Sequence, residues 1–289
     1  MKTSTTTPSP STVAPAASPR PEGAPTKPFL KWVGGKRQLL KDLLCLVPRD
    51  IRHYHEPFLG GGALFFALRP SRAHLADSNA ELIRTYTAVR DDVEGVIRAL
   101  QQHRYQRDHY YETRATHPDQ LSPNALAARM IYLNRCGYNG LYRVNRQGLF
   151  NVPFGRYHNP KICDADNLRR VSLALQGADL TAGDFAATLS AARRDHFVYL
   201  DPPYIPVSAT ASFVAYQQGG FGMDEQEQLA RTFEALDQRG VRLMLSNSDV
   251  PWVRQRYADY RIHNAVARRP INSRHNGRGP IPELIVTNY

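Results

Sequence analysis

Two spacings of apolar residues alternate along this chain. Short runs rich in β-branched and aromatic side chains occur at 54–58, 73–76, 179–182, 197–200, 241–245, 261–266 and 283–288, and predict about seven strands. Between them the spacing turns helical. Leu39, Leu40, Leu43, Leu44 and Val47 mark one helix in 38–47, and Leu64, Phe65, Phe66 and Leu68 another that starts near Ala63. A long helix is predicted from Asn79 to about Leu100, others over 124–134 and 251–257, and a polar, aromatic surface helix in 101–117. A helix from Asp224 to about Arg239 has Asp224 as its cap and Glu227 at capping-box spacing. Strands alternating with helices predict an α/β chain built on a doubly wound sheet, mixed because the last two strands form a closing pair.

One segment breaks this rhythm. Residues 135–157 interleave arginine with tyrosine, asparagine and glycine. Leu141–Val144 and Leu149–Val152 read as two strands of a hairpin turning at Asn145-Arg146-Gln147-Gly148. Between Asn124 and Arg170 there are eight lysines and arginines against Asp164 and Asp166, a net +6 out of +11 for the whole chain. Residues 1–27 are threonine, serine, proline and alanine with almost no large apolar side chain, a disordered tail by composition. The expected organisation is therefore a tail, a principal α/β domain at 28–100 and 178–289, and an inserted basic domain at 101–177.

The chemistry gathers at the ends of predicted strands. The run Phe197-Val-Tyr-Leu200 stops in Asp201-Pro202-Pro203-Tyr204. Proline cannot extend a strand, so Asp201 falls at its carboxyl end, with Tyr204 close beside it on a stiff turn. A carboxylate and a proline carbonyl can each accept one N–H of an exocyclic amine, and the tyrosine ring offers a face for a planar base. A plain turn is the competing reading. Strand 54–58 runs into Leu59-Gly60-Gly61-Gly62 and a helix, the layout of a nucleotide-binding loop, although G-x-G-x-x-G is incomplete. Asp77 ends the next strand 17 positions beyond Gly60, where such folds place a carboxylate for ribose hydroxyls. Asp184 follows strand 179–182. In Phe29-Leu-Lys31-Trp32-Val-Gly-Gly-Lys36, paired glycines allow close backbone approach, Trp32 can cover a flat ring and Lys36 can meet a carboxylate.

Charge adds a partner. A net +11 favours a polyanion, and the interleaved arginines and asparagines of 135–157 suit double-stranded DNA. The loop 268–278, with four arginines after Val266, suits phosphate contact, and the Gly- and Gln-containing loop 205–223 is long enough for a lid. Cys45, Cys136 and Cys163 are too few and too scattered for a disulfide or zinc framework, which points to a reducing, cytoplasmic setting. The histidines form no metal motif, no run is long enough to span a membrane, and no signal peptide is apparent, so no metal and no membrane are expected.

Taken together, Phe29–Lys36, Glu56–Gly62, Ala76–Asn79, Asn134–Asn145 with Phe150–Gly155, and Asp201–Tyr204 resemble, in order, the motifs of Dam-type DNA adenine-N6 methyltransferases in the α arrangement of amino-methyltransferases. The resemblance covers about residues 28–289. It implies a Rossmann-like methyltransferase sheet that uses S-adenosylmethionine (SAM) and flips an adenine out of duplex DNA into a pocket formed by Asp201, Pro202, Pro203 and Tyr204. It implies cofactor contacts from Trp32, Lys36, Phe58, Gly60, Gly62, Asp77, Asp184 and Asp201. It implies DNA contacts from Lys31, Asn139, Leu141, Arg143, Asn145, Arg156 and Tyr157, with GATC as the site in close relatives. The enzyme is expected to act as a monomer. Val33, Ala63, Tyr142 and Val144 depart from the usual pattern, the last two beside Arg143. Rival readings are a cytosine-N4 methyltransferase, which more often carries serine in place of Asp201, a non-catalytic DNA-binding protein and a Rossmann oxidoreductase.

Overall fold

The computed structural model describes residues 25–205, 221–268 and 280–289. Seven strands form one sheet: β1 His53–Glu56, β2 Ala73–Asp77, β3 Ala178–Ala182, β4 His196–Leu200, β5 Arg242–Ser248, β6 Arg261–Arg268 and β7 Pro280–Thr287. Their order is β3-β2-β1-β4-β5-β7-β6. The first five pair in parallel, and β7 inserts antiparallel between β5 and β6. All seven predicted strands are present with ends shifted by up to three residues.

The sheet is covered on both faces, which is why its central strands read as continuous apolar runs. Side chains alternate across it. Phe197 and Tyr199 of β4 join one core with α2 (Ala63–Leu68), α3 (Ala80–Asp91) and α6 (Pro123–Cys136), while Val198 and Leu200 join another. That second core includes Leu229 and Phe233 of α9 (Met223–Gln238) and Val253 of α10 (Pro251–Arg256). Near the amino ends of the strands His53, His55 and His196 stack at 4.7–5.1 Å, and burial pushes His55 down to about 3, so it packs as a neutral ring.

Several expectations change. The helix expected from Asn79 to Leu100 is two, α3 and α4 (Val93–Gln101), because Asp92 leaves helical geometry and accepts from Gly95 N at 2.9 Å as the cap of the second. A mid-run aspartate was the available signal, since such a cap contributes about 1 kcal/mol. The helix at 224–239 instead begins at Met223 after Gly222, and Glu225, not Glu227, reaches back to Gly222 N at 2.8 Å. Glycine has no side chain, so only half of a capping box exists. The hairpin strands at 141–152 reduce to a single bridge, Val144 to Phe150. The Asn145 side chain explains this: its Oδ1 accepts from both Gln147 N and Leu149 N at 3.0 Å, replacing a backbone rung. The tail is anchored at its end, where Lys27 exchanges two hydrogen bonds with Asn167 of α7 (Ala165–Leu175), a helix the periodicity reading passed over. Residues 1–24, the lid expected at 205–223 over 206–220, and the basic loop at 268–278 over 269–278 lie outside the described residues.

Candidate active site and nucleic-acid interface

The strand order reverses direction between β1 and β4, which are neighbours although β2 and β3 intervene in sequence. In a doubly wound sheet the crevice for a ligand lies outside the carboxyl ends of the strands at that point. Here those ends lead into the glycine loop after Glu56 and into Asp201.

Asp201 leaves β4 as its last sheet bond is made, because Pro202 has no N–H to continue the ladder. Lys36 Nζ approaches Asp201 Oδ1 to 2.8 Å, with the two side chains 7% and 18% exposed. Burial pushes the Asp201 carboxyl up to about 6 against the pull of Lys36. The same ammonium lies 4.3 Å over the Tyr204 ring and donates to Gly34 O at 2.8 Å. Three buried polar groups hold the loop after Asp201. Tyr204 donates to Glu283 Oε2 of β7 at 2.5 Å, Gln226 Nε2 of α9 donates to Pro203 O at 2.9 Å, and Ser248 Oγ of β5 donates to Ile205 O at 2.9 Å. Asn247 Nδ2 in turn donates to Gln226 Oε1 at 3.1 Å. Burial and the nearby Asp201 and Glu283 charges raise the Tyr204 hydroxyl, which stays protonated and donating.

The glycine loop sits against the amino-terminal arm. Gly60 and Gly62 have φ of +46° and +64°, and a Cβ on Gly60 would stand 2.7 Å from Trp32 Cδ1. Trp32 therefore lies directly over the loop, an approach only glycine permits. Asp77, at the end of β2, accepts from Gly60 N and Asn79 N, both at 2.9 Å. Burial pushes its carboxyl upward against these two bonds. Phe58 stacks on Phe185 at 5.3 Å and meets Phe221 edge-on at 5.6 Å, and Asp184 caps α8 (Phe185–Thr188) through Ala186 N at 2.9 Å. Three acids at three strand ends, flanked by aromatic rings and one lysine, suit a ligand with a planar base, a diol and a cationic head.

Lys31, Asn139, Leu141, Arg143, Asn145, Arg156 and Tyr157 lie on the segment beside this crevice and on the arm next to it. Lys31 lies 4.4 Å over the Tyr157 ring, and Tyr157 donates to Gly137 O at 3.0 Å. Asn139 takes a left-handed conformation, φ +54°, in the turn after α6. Arg143 is exposed and lies along Asn151, with Nε 2.6 Å from Asn151 Oδ1. Arg156 is exposed, Leu141 half-buried, and Asn145 Oδ1 is engaged by its own turn. Buried Asn134 ties arm to segment, accepting from Lys31 N and donating to Lys31 O, both at 2.7 Å, and donating to Gly140 O at 3.0 Å.

Sequence reasoning missed Gln226, Asn247, Ser248 and Glu283 around the Asp201 loop. The signal for two of them was available: Asn247 and Ser248 are polar at positions where a central strand buries its side chains, and both are within 1% of full burial. Among the described residues no group of three or more His, Cys, Asp or Glu is arranged to hold a metal, and no helix is long and apolar enough to cross a membrane.

The family model described as D12 class N6 adenine-specific DNA methyltransferase matches residues 32–271. The type II methyltransferase M1.LlaDCHI of Lactococcus lactis subsp. cremoris is 42% identical over 271 residues, covering 91% of this chain and 95% of that one. The type II methyltransferase M.MjaIII of Methanocaldococcus jannaschii is 39% identical over 290 aligned residues, covering 91% and 99%. The DNA adenine methylase of Escherichia coli K12 is 36% identical over 261 residues, covering 89% and 93%.

Proposed function

The chain belongs to the D12 class of N6 adenine-specific DNA methyltransferases, and on that premise we propose that it takes its methyl group from SAM and transfers it to an adenine flipped out of duplex DNA, within GATC. The observation that carries the reading is Asp201: a carboxylate at the switch point of the sheet, kept mostly ionised at neutral pH by Lys36 and followed by a loop fixed at Pro203, Tyr204 and Ile205.

The residues present fit SAM. Trp32 packs directly on Gly60 at the mouth of the crevice, the Phe58–Phe185 pair offers aromatic faces to an adenine ring, and Asp77 and Asp184 supply acceptors for hydroxyl or amino groups. When bound, SAM supplies an electrophilic methyl on a sulfonium. The protein's share is positioning. Asp201 and the Pro202 carbonyl accept the two N6 hydrogens, which keeps electron density on nitrogen and directs its lone pair. The Tyr204 ring stacks on the base, and extraction from the duplex costs a few kcal/mol of unstacking. Asp201 need not be a strong base, because the N6 proton becomes acidic only as nitrogen gains positive charge. No covalent enzyme intermediate is required, consistent with a buried Cys136 whose thiol is pushed up to about 12.

Residues 101–177 serve in this reading as the target-recognition unit, with Arg143 and Leu141 reading base edges and Lys31, Arg156 and Tyr157 placing the duplex. Expression in a methylation-free host, followed by digestion with enzymes that differ in sensitivity to methylated GATC, tests the site and the activity together. Methylation-aware sequencing of the same DNA gives the modified motif directly. Unmethylated DNA from an expressing host overturns the activity, and N6-methyladenine in another motif overturns GATC alone.

A further inference from the structure

The arm at 29–36 touches three parts of the molecule at once. Its Lys36 end pairs with Asp201, its Trp32 ring covers Gly60, and its Lys31 end is clasped by Asn134 to Gly140. The recognition segment meets the same arm at a further point, the Trp32 ring. Tyr142, next to Arg143, stacks on Trp32 with ring centroids 5.3 Å apart and planes 26° apart. Its hydroxyl donates to Glu81 Oε2 at 3.1 Å. Glu81 is itself held, since Oε1 accepts from Arg129 Nη1 at 2.9 Å, and Arg129 is 2% exposed. Glu81 lies in the first turn of α3, immediately after Asp77-Ser78-Asn79. Tyr142 thus has one face on the ring that covers the glycine loop and its hydroxyl on the helix that follows Asp77.

We propose that Tyr142 is a positioning residue that links DNA readout to the methyl-donor site: a duplex gripped by Arg143 sets Tyr142, Tyr142 sets Trp32, and Trp32 sets the donor pocket. The inference rests on the reading of Trp32 and Gly60 as donor contacts and of Arg143 as a DNA contact. Its physical content is a binding linkage. Cognate DNA raises affinity for the donor product, and by reciprocity the donor product raises affinity for cognate DNA by the same factor. Arg143 and Tyr142 are adjacent, so a shift of the segment at Arg143 is delivered to a ring held between the Trp32 stack and the Glu81 bond.

The experiment measures binding of S-adenosylhomocysteine by calorimetry to the full chain. It is done alone, with a duplex carrying the motif mapped by sequencing, and with a scrambled duplex. The wild type is expected to bind more tightly with the mapped duplex than with the scrambled one, by roughly 5-fold or more, within the usual range of such linkages. In Tyr142→Ala that ratio falls to about 1, while affinity without DNA changes little. Tyr142→Phe keeps the stack and loses the Glu81 bond, and gives an intermediate ratio; being the milder change, it also serves if the alanine variant does not fold. A wild-type ratio near 1, or a wild-type ratio retained in both variants, overturns the proposal. A wild type that binds neither ligand overturns the methyltransferase reading beneath it, which the methylation mapping detects separately.

Discussion

Lys36 and Asp201 stand 2.8 Å apart at the point where the amino-terminal arm meets the end of β4, and each is the other's main charge partner. Burial raises the Asp201 carboxyl to about 6, above its ordinary value, and the ammonium holds it from rising further. In the proposed function the ionised form accepts from N6, so activity is expected to fall as pH drops through about 6. In Lys36→Met the opposing charge is gone, so the acid limb moves to higher pH. The pH dependence of kcat/KM for the two proteins reports this directly; identical limbs would separate the pair from catalysis. Asp201→Ala removes the acceptor altogether, and kcat is expected to fall by about 10²–10⁴-fold while DNA affinity, measured by gel shift, largely survives.

Gln226 orients the loop from behind. Its amide donates to Pro203 O and accepts from Asn247, with Gln226 and Asn247 at 1% and 0% exposure. Leucine of similar size leaves the buried Asn247 amide without its acceptor, at about 1–3 kcal/mol, and frees Pro203 O from its side-chain donor. Gln226→Leu should therefore lower both melting temperature and kcat, the latter by roughly 10–100-fold as the loop loses its setting. KM for either substrate should stay close to wild type. A melting shift with no loss of kcat would show that the bond supports the fold only.

Gly60→Ala tests the close contact between Trp32 and the glycine loop. The left-handed backbone costs a side chain about 1–2 kcal/mol, and the new methyl meets the indole at 2.7 Å. The expected result is a modest drop in stability with a large loss of S-adenosylhomocysteine affinity by calorimetry. Near-normal affinity would place the cofactor away from this loop.

Glu56, buried behind the glycine loop, is pushed up to about 8 by burial, against a 2.8 Å bond from the Tyr54 hydroxyl. Between the ordinary carboxylate value and about 8 the folded protein holds a proton that the unfolded chain has released. Stability therefore falls as pH rises through that window. Glu56→Gln removes the titration, and the Tyr54 hydroxyl can turn to suit the amide. The variant should melt higher than wild type at pH 8.5 and show little gain at pH 5; equal melting curves at both would show that Glu56 does not titrate in this range.

Much of the architecture was legible because it is encoded locally. Seven apolar runs marked seven strands, and the proline pair after Asp201 ended one of them for a stereochemical reason that needs no tertiary partner. Five motifs in order were enough to identify the family, which the comparisons bear out. Where side chains competed with the backbone, the periodicity misled: Asp92 cut one helix into two, and Asn145 took the amides that a hairpin ladder would have used.

The sequence by itself determined which residues are candidates for the chemistry: an acid ahead of two prolines, a glycine loop, and a basic segment set apart from the sheet. Only the tertiary structure decided what holds them. Glu283 reaches Tyr204 because β7 inserts beside β5, and Gln226 reaches Pro203 because α9 packs over the same end of the sheet. Tyr142 meets Trp32 because the arm crosses between the basic segment and the glycine loop. Those contacts join residues far apart in the chain through strand order and packing, and periodicity carries no information about which distant element will arrive.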